Sequence, residues 1–168
     1  PYAATNLLPN TAYQYFVRSV CSLGNFSGWA GPFNFTTGIA PQGCGGNYAD
    51  TGGTTGNYGN NEDNTITICP INATDVVTVT FNSFNTQATF DGLYVFNGNS
   101  ITTPQISSGN LAGTVPGGLA GAYWGTANIG SFTSSAADGC LTFRFRANAT
   151  TVAAGWVANV TCAPAPVC

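Results

Sequence analysis

Along this chain, apolar and polar residues alternate in short bursts with a period of two. Tyr13, Tyr15 and Val17 alternate with Gln14, Phe16 and Arg18, and Phe33 and Phe35 alternate with Asn34 and Thr36. Residues two apart share one face of a strand, so each burst predicts a strand with one buried face. A turn is predicted at Leu8, Pro9 and Asn10, and a Gly/Ser/Asn-rich loop at 21–31. Residues 44–63 predict a long, turn-rich loop with a short strand near Tyr48. Further strands are predicted at 65–69, around Val77, Val79 and Phe81, and around Leu93 and Val95, with a turn at 97–99 and a weaker strand at 119–124. Leu141, Phe143 and Phe145 point one way and Thr142, Arg144 and Arg146 the other; Trp156, Ala158 and Val160 form the last inward row. Many short strands at regular spacing predict an all-β sandwich.

Composition sharpens this picture. Charged residues make up 5% of the 168, against about a quarter in an average domain. The three basic residues are all arginine, and histidine is absent. Three arginines do not make the basic surface that nucleic acid requires. Without histidine, the Ser-His-Asp and Cys-His routes to a nucleophile are closed. No apolar run reaches the roughly 18 residues of a membrane-spanning helix. Aromatic residues make up 12%, enough to drive burial in spite of the low charge. Six cysteines without a Cys-x-x-Cys spacing point to an oxidising compartment and disulfides rather than metal. The chain opens in mid-pattern at Pro1, as expected of a piece of a longer protein.

Two stretches resemble known families. Residues 8–13 (Leu-Pro-Asn-Thr-Ala-Tyr) with Val17, then Ser27-Gly28-Trp29, Gly31-Pro32-Phe33 and Phe35-Thr36-Thr37, resemble the last third of a fibronectin type III domain. Residues 44–162 resemble a CUB domain of the form found in secreted multidomain proteins of Bacteroidetes-type bacteria. The pieces that match are Cys44-Gly45-Gly46, Asp50-Thr51-Gly52-Gly53, residues 56–62, Thr67-Ile68-Cys69-Pro70, residues 79–81 with Phe84, residues 91–95, residues 139–145 and Gly155-Trp156. The implied fold is a partial fibronectin type III (immunoglobulin-like) sandwich at 1–37, a linker at 38–43 and a CUB-like jelly-roll β-sandwich at 44–162. A Pro-rich linker into a next module follows at 163–168. In core roles, Trp29 and Trp156 suit this arrangement.

The resemblance also implies pairings and a site. It implies bridges Cys44–Cys69 and Cys140–Cys162, and it leaves Cys21 and Cys168. These two either join successive modules of an array or bridge within one chain. Many CUB domains hold calcium, and the matching positions are Gln87, Asp91 and Asn148, of which only Asp91 keeps a charge. Calcium affinity falls as carboxylates become amides.

Other candidates come from the residues themselves. Asp50, Glu62 and Asp63 lie within one Gly/Asn-rich loop, which either wraps an ion or is simply solvated. Arg144 and Arg146 either receive a carboxylate or sulfate or are exposed positions that blunt strand pairing. Tyr48, Tyr58, Tyr94, Tyr123 and Trp124 offer a sugar-stacking platform wherever they are exposed. No nucleophile sits with a base, so the chain reads as non-catalytic. The expected function is a structural or adhesive segment of a secreted or cell-surface bacterial fibre or adhesin. Its partners would be neighbouring modules or subunits, with surface glycans or proteins as further ligands. The alternative is an accessory carbohydrate- or protein-binding module of a secreted hydrolase.

Overall fold

The computed structural model describes residues 12–22, 24–36 and 43–165. The turn expected at 8–10, most of the linker expected at 38–43, and Cys168 lie outside the described residues. The chain divides into two compact units, Pro1–Ala40 and Pro41–Cys168. Among the described residues every regular element is a strand.

In the first unit, β1 (Ala12–Val17) runs antiparallel to β4 (Ala30–Thr36), with Tyr13 opposite Phe35 and Tyr15 opposite Phe33. The facing rings touch: centroids lie 5.8 Å apart for Tyr13 and Phe35 and 5.2 Å for Tyr15 and Phe33. Inside the expected loop, β2 (Val20–Ser22) and β3 (Asn25–Phe26) form a small hairpin. Trp29 is not in a core. It is 63% exposed, and the Arg18 guanidinium lies 4.6 Å from its ring and 3.9 Å from that of Phe26. A guanidinium so placed is attracted to both rings while its charge stays solvated.

The second unit is a sandwich of two four-stranded sheets. One runs β10 (Ser131–Thr133), β7 (Asp75–Asn85), β12 (Gly155–Pro164), β5 (Asn47–Ala49). The other runs β6 (Asp63–Ile68), β11 (Leu141–Arg146), β8 (Gly92–Asn97), β9 (Gln105–Ile106). All described pairings are antiparallel. The expected rows meet in the middle: Val77, Val79 and Phe81 from β7, Trp156, Ala158 and Val160 from β12, and Leu141, Phe143 and Phe145 from β11. Phe143 is fully buried, with Tyr48 4.9 Å and Phe81 6.1 Å away between ring centroids. Such tilted aromatic contacts add about 0.5–1.5 kcal/mol each beyond area burial.

Two departures from plain alternation shape the unit. Along β7 the register skips: Ala158 faces Phe81 but Val157 faces Ser83, leaving Asn82 without a partner residue on β12. This bulge reverses the parity of the strand, so Phe81 and Phe84, three residues apart, both point inward. On β8, both faces are buried. Leu93 and Val95 join the main core, while Tyr94 and Phe96 pack with Val115, Ala122 and Trp124 in a second small core. The segment expected as a strand at 119–124 is instead part of the irregular cover over β8. Its backbone pairs with β8 at the isolated bridge Leu93–Tyr123, and Leu119 is exposed.

The disulfides correct the expected pairing. They are Cys44–Cys162 and Cys69–Cys140, with Cα–Cα distances of 5.3 and 4.2 Å. The reason is strand adjacency. Ile68 at the end of β6 faces Leu141 at the start of β11, which brings Cys69 to Cys140. Gly45 N–H donates to Val160 O at 2.8 Å, which brings Cys44 to Cys162. Each bridge therefore joins neighbouring strands of one sheet. Ala163 and Pro164, expected in a linker, continue β12 opposite Val76 and Asp75.

Candidate functional site

At one end of the sandwich, three loops converge on Asp91, which is 1% exposed. It sits in the β7–β8 connection, where its N–H donates to Gln87 O at 2.9 Å. Tyr58, from the loop before β6, donates its hydroxyl to Asp91 Oδ2 at 2.7 Å. Asn148, just after β11, donates its N–H to Asp91 Oδ1 at 2.8 Å. Thr86 Oγ1 donates to Asp91 O at 3.0 Å and accepts the Gly125 N–H at 3.2 Å. The Gln87 N–H in turn donates to Tyr58 Oη at 3.0 Å, and the Asn61 N–H donates to Asn148 O at 2.6 Å. Burial, and then the hydrogen bond to Asp91, push the Tyr58 hydroxyl well above its ordinary pKa, so it stays a donor.

Gln87 and Asn148 meet Asp91 through their backbone O and N–H, and the set does not fit calcium. Asp91 supplies one carboxylate, and both its oxygens already accept N–H or O–H donors. The Asn148 side-chain oxygen accepts the Thr150 N–H at 2.8 Å. Of the three residues' side-chain oxygens, only Gln87 Oε1 is buried without a partner. Calcium takes six to eight oxygens, and its affinity is set by the count of charged ligands. No cluster of three or more His, Cys, Asp or Glu suited to a metal occurs among the described residues.

The acidic loop residues are spent on loop closure. Asp50 Oδ1 accepts the Gly52 N–H and Oδ2 accepts the Trp156 N–H, both at 2.8 Å. Its carboxylate occupies the space a side chain on Gly155 would need, and Gly155 has φ +65°, where L-residues are strained. Glu62 accepts the Gly59 N–H, the Thr51 hydroxyl and the Asn64 amide. Asp50 and Glu62 both border a cavity of about 30 Å³ beside Tyr48 and Trp156, room for about one water molecule.

Asp63 belongs elsewhere. It lies on β6 opposite Arg146, and Arg144 Nε and Nη2 meet its two oxygens at 2.7 and 2.8 Å. Arg146 adds a contact at 3.3 Å. The arginine pair is therefore already engaged, because a cross-strand carboxylate contacts both guanidinium groups and offsets one of their two charges. The hydrogen bond from Arg144, together with the two nearby cations, holds Asp63 below the usual carboxylate range despite some burial. Its contribution to stability is thus full above the ordinary carboxylate pKa and fades as the pH falls through the lowered folded value. Asp50 works in the opposite sense. Burial raises it, so its cost sets in as the pH rises from the ordinary carboxylate value through the raised folded one. Asp63 is 43% exposed in its side chain, and exposed pairs contribute only about 0.2–1 kcal/mol. Asp63→Asn is expected to remove up to about 1 kcal/mol at pH 7 and to flatten the loss of stability below pH 4, as read by urea titration across pH.

The sugar-stacking platform is not assembled. Tyr48, Tyr58 and Tyr94 are buried: Tyr48 packs on Phe143 and Trp156, and Tyr94 Oη donates to Leu119 O at 2.9 Å. Tyr123 is half-buried against Phe132, and Trp124 is half-buried against the second core. Cys21 is exposed with a free thiol. Sequence reasoning missed Thr86, five residues before Asp91, and Tyr58, 33 residues before it, as its partners.

No family model matches this chain, and no curated protein matches it. Among solved structures, the full extracellular region of zebrafish Gpr126/Adgrg6 is similar at 14% identity and a TM-score of 0.53, covering 71% of this chain and 14% of that one. The MASP-1 CUB2 domain bound to Ca2+ is similar at 12% identity and a TM-score of 0.46, covering 68% of this chain and 89% of that one. This chain thus spans about one seventh of the zebrafish structure, and the likeness between the two is one of fold.

Proposed function

We propose that this chain is a non-catalytic structural and adhesive segment of a secreted or cell-surface bacterial fibre or adhesin, built from tandem disulfide-stapled β-sandwiches. The observation that carries this reading is how the second unit spends its chemistry. Each sheet is closed by its own cystine, and Asp50, Glu62, Asp63 and Asp91 are all committed to holding loops and strands. Disulfides persist in oxidising surroundings, which favours an exterior location. The first unit, read as a fibronectin type III-like piece, leaves Tyr15, Phe16, Val20, Phe33 and Phe35 exposed, as suits a surface that meets a neighbouring module. Cys21 and Cys168 would then link successive modules. The hydrolase-accessory reading is weaker, because three of its five stacking aromatics are in cores.

The test is non-reducing gel electrophoresis and peptide mapping of the whole chain after oxidation. Reducible multimers joined through Cys21 and Cys168 are expected. A monomer with Cys21 bridged to its own Cys168 would count against the array, and turnover of a glycan or peptide substrate would count against a passive role.

A further inference from the structure

We infer that the chain's own donors around Asp91 replace calcium, so that this end of the sandwich is held together without a metal. A divalent cation at this position would pull carboxylates from separate loops onto one point. Here the polarity is inverted: one buried anion sits at the centre, and the positive ends of dipoles converge on it. Tyr58 Oη–H and the Asn148 N–H approach its two oxygens at 2.7 and 2.8 Å, and they come from different loops, so the anion does the cross-linking. The Asn61 N–H to Asn148 O bond ties the two loops to each other as well. A cation here would have to displace these donors. It would then sit, doubly charged and buried, beside a single carboxylate, without recovering its hydration energy. The two remaining positions, Gln87 and Asn148, are amides of the same shape as Glu and Asp. Gln87 Oε1 is a buried acceptor without a partner, so it is not committed to another bond.

This makes the exchange reversible by design. Melting of the whole wild-type chain is expected to be unchanged, within about 1 °C, between 5 mM CaCl2 and EDTA. The double variant Gln87→Glu/Asn148→Asp is expected to melt lower than wild type in EDTA. It should rise by roughly 5–10 °C once calcium stands a hundredfold above its Kd. Adding Asp91→Asn to the double variant should abolish that response. Recovery of a cooperative melt only in calcium would support the inference equally. Should the double variant fail to fold in either condition, Gln87→Glu alone is expected to show a smaller rise with calcium. A calcium-dependent rise in wild type overturns the inference. So does a folded double variant indifferent to calcium, a flat Gln87→Glu where the double variant fails to fold, or a response that survives Asp91→Asn.

Discussion

Changing Cys69 and Cys140 together to alanine is expected to cost about 4 kcal/mol and to lower the melting temperature by roughly 10–15 °C. The bridge closes a separation of 71 residues, and its companion Cys44–Cys162 closes 118. In the chain-entropy model, the penalty lifted from the unfolded ensemble grows with the logarithm of loop length, giving roughly 4.4 and 4.9 kcal/mol for the two. Bridges between cysteines close in sequence, as the resemblance implied, would contribute only about 3.5 kcal/mol each by the same relation. The m-value in urea should rise in the double variant, because its unfolded state opens further. Alanine is the appropriate replacement, since Cys140 is buried and a serine hydroxyl there would add a desolvation cost of its own. Non-reducing peptide mapping identifies the pairing directly: peptides linking Cys44 to Cys162 and Cys69 to Cys140 are expected. A loss below about 1 kcal/mol would mean that β6 and β11 are held in register by their packing alone.

The strands themselves were legible because one face of each is buried and the other is not. Leu141, Phe143 and Phe145 against Thr142, Arg144 and Arg146 is such a case, and β11 has those bounds. The parts that were not legible share a cause: they depend on what lies next to an element rather than on the element. The cystine pairing required knowing that β6 lies beside β11 and β5 beside β12. That adjacency is written nowhere in the local pattern. The arginines looked exposed because alternation reports the face and not its occupant. Asp63 from the adjacent strand pairs with both guanidinium groups and offsets one of their two positive charges. Tyr94 and Phe96 alternate with core residues, yet they are buried under an aperiodic cover at 107–125, where no period could signal burial. The bulge at Asn82 hid Phe84 from a strict period of two. For the candidate site, Asp91 was named through the resemblance, as the one charged residue at the positions where many CUB domains hold calcium. Its partner Tyr58 lies 33 residues away in sequence, and a hydroxyl is recognisable as a buried donor only once the loops have met.

Asp91→Ala is expected to cost about 3–5 kcal/mol, although the side chain is small. The loss comes from what remains. The Tyr58 hydroxyl and the Asn148 N–H lose their acceptor while still buried, and each unsatisfied donor costs about 1–3 kcal/mol. Tyr58→Phe leaves the carboxylate one bond short and the Gln87 N–H without its acceptor, so about 1–3 kcal/mol is expected, the ring keeping its edge contact with Phe145 at 4.8 Å. The informative quantity is the double variant. With the carboxylate gone, the Tyr58 hydroxyl keeps the Gln87 N–H as its donor but has no acceptor for its own proton, so removing it should cost less than it does in the wild type. The two changes should therefore be strongly non-additive, with a coupling of about 1–3 kcal/mol in a urea-denaturation cycle. Additive losses would mean that Tyr58 and Asp91 stabilise the fold separately, and that the convergence of the three loops rests on their backbone bonds and not on the buried anion.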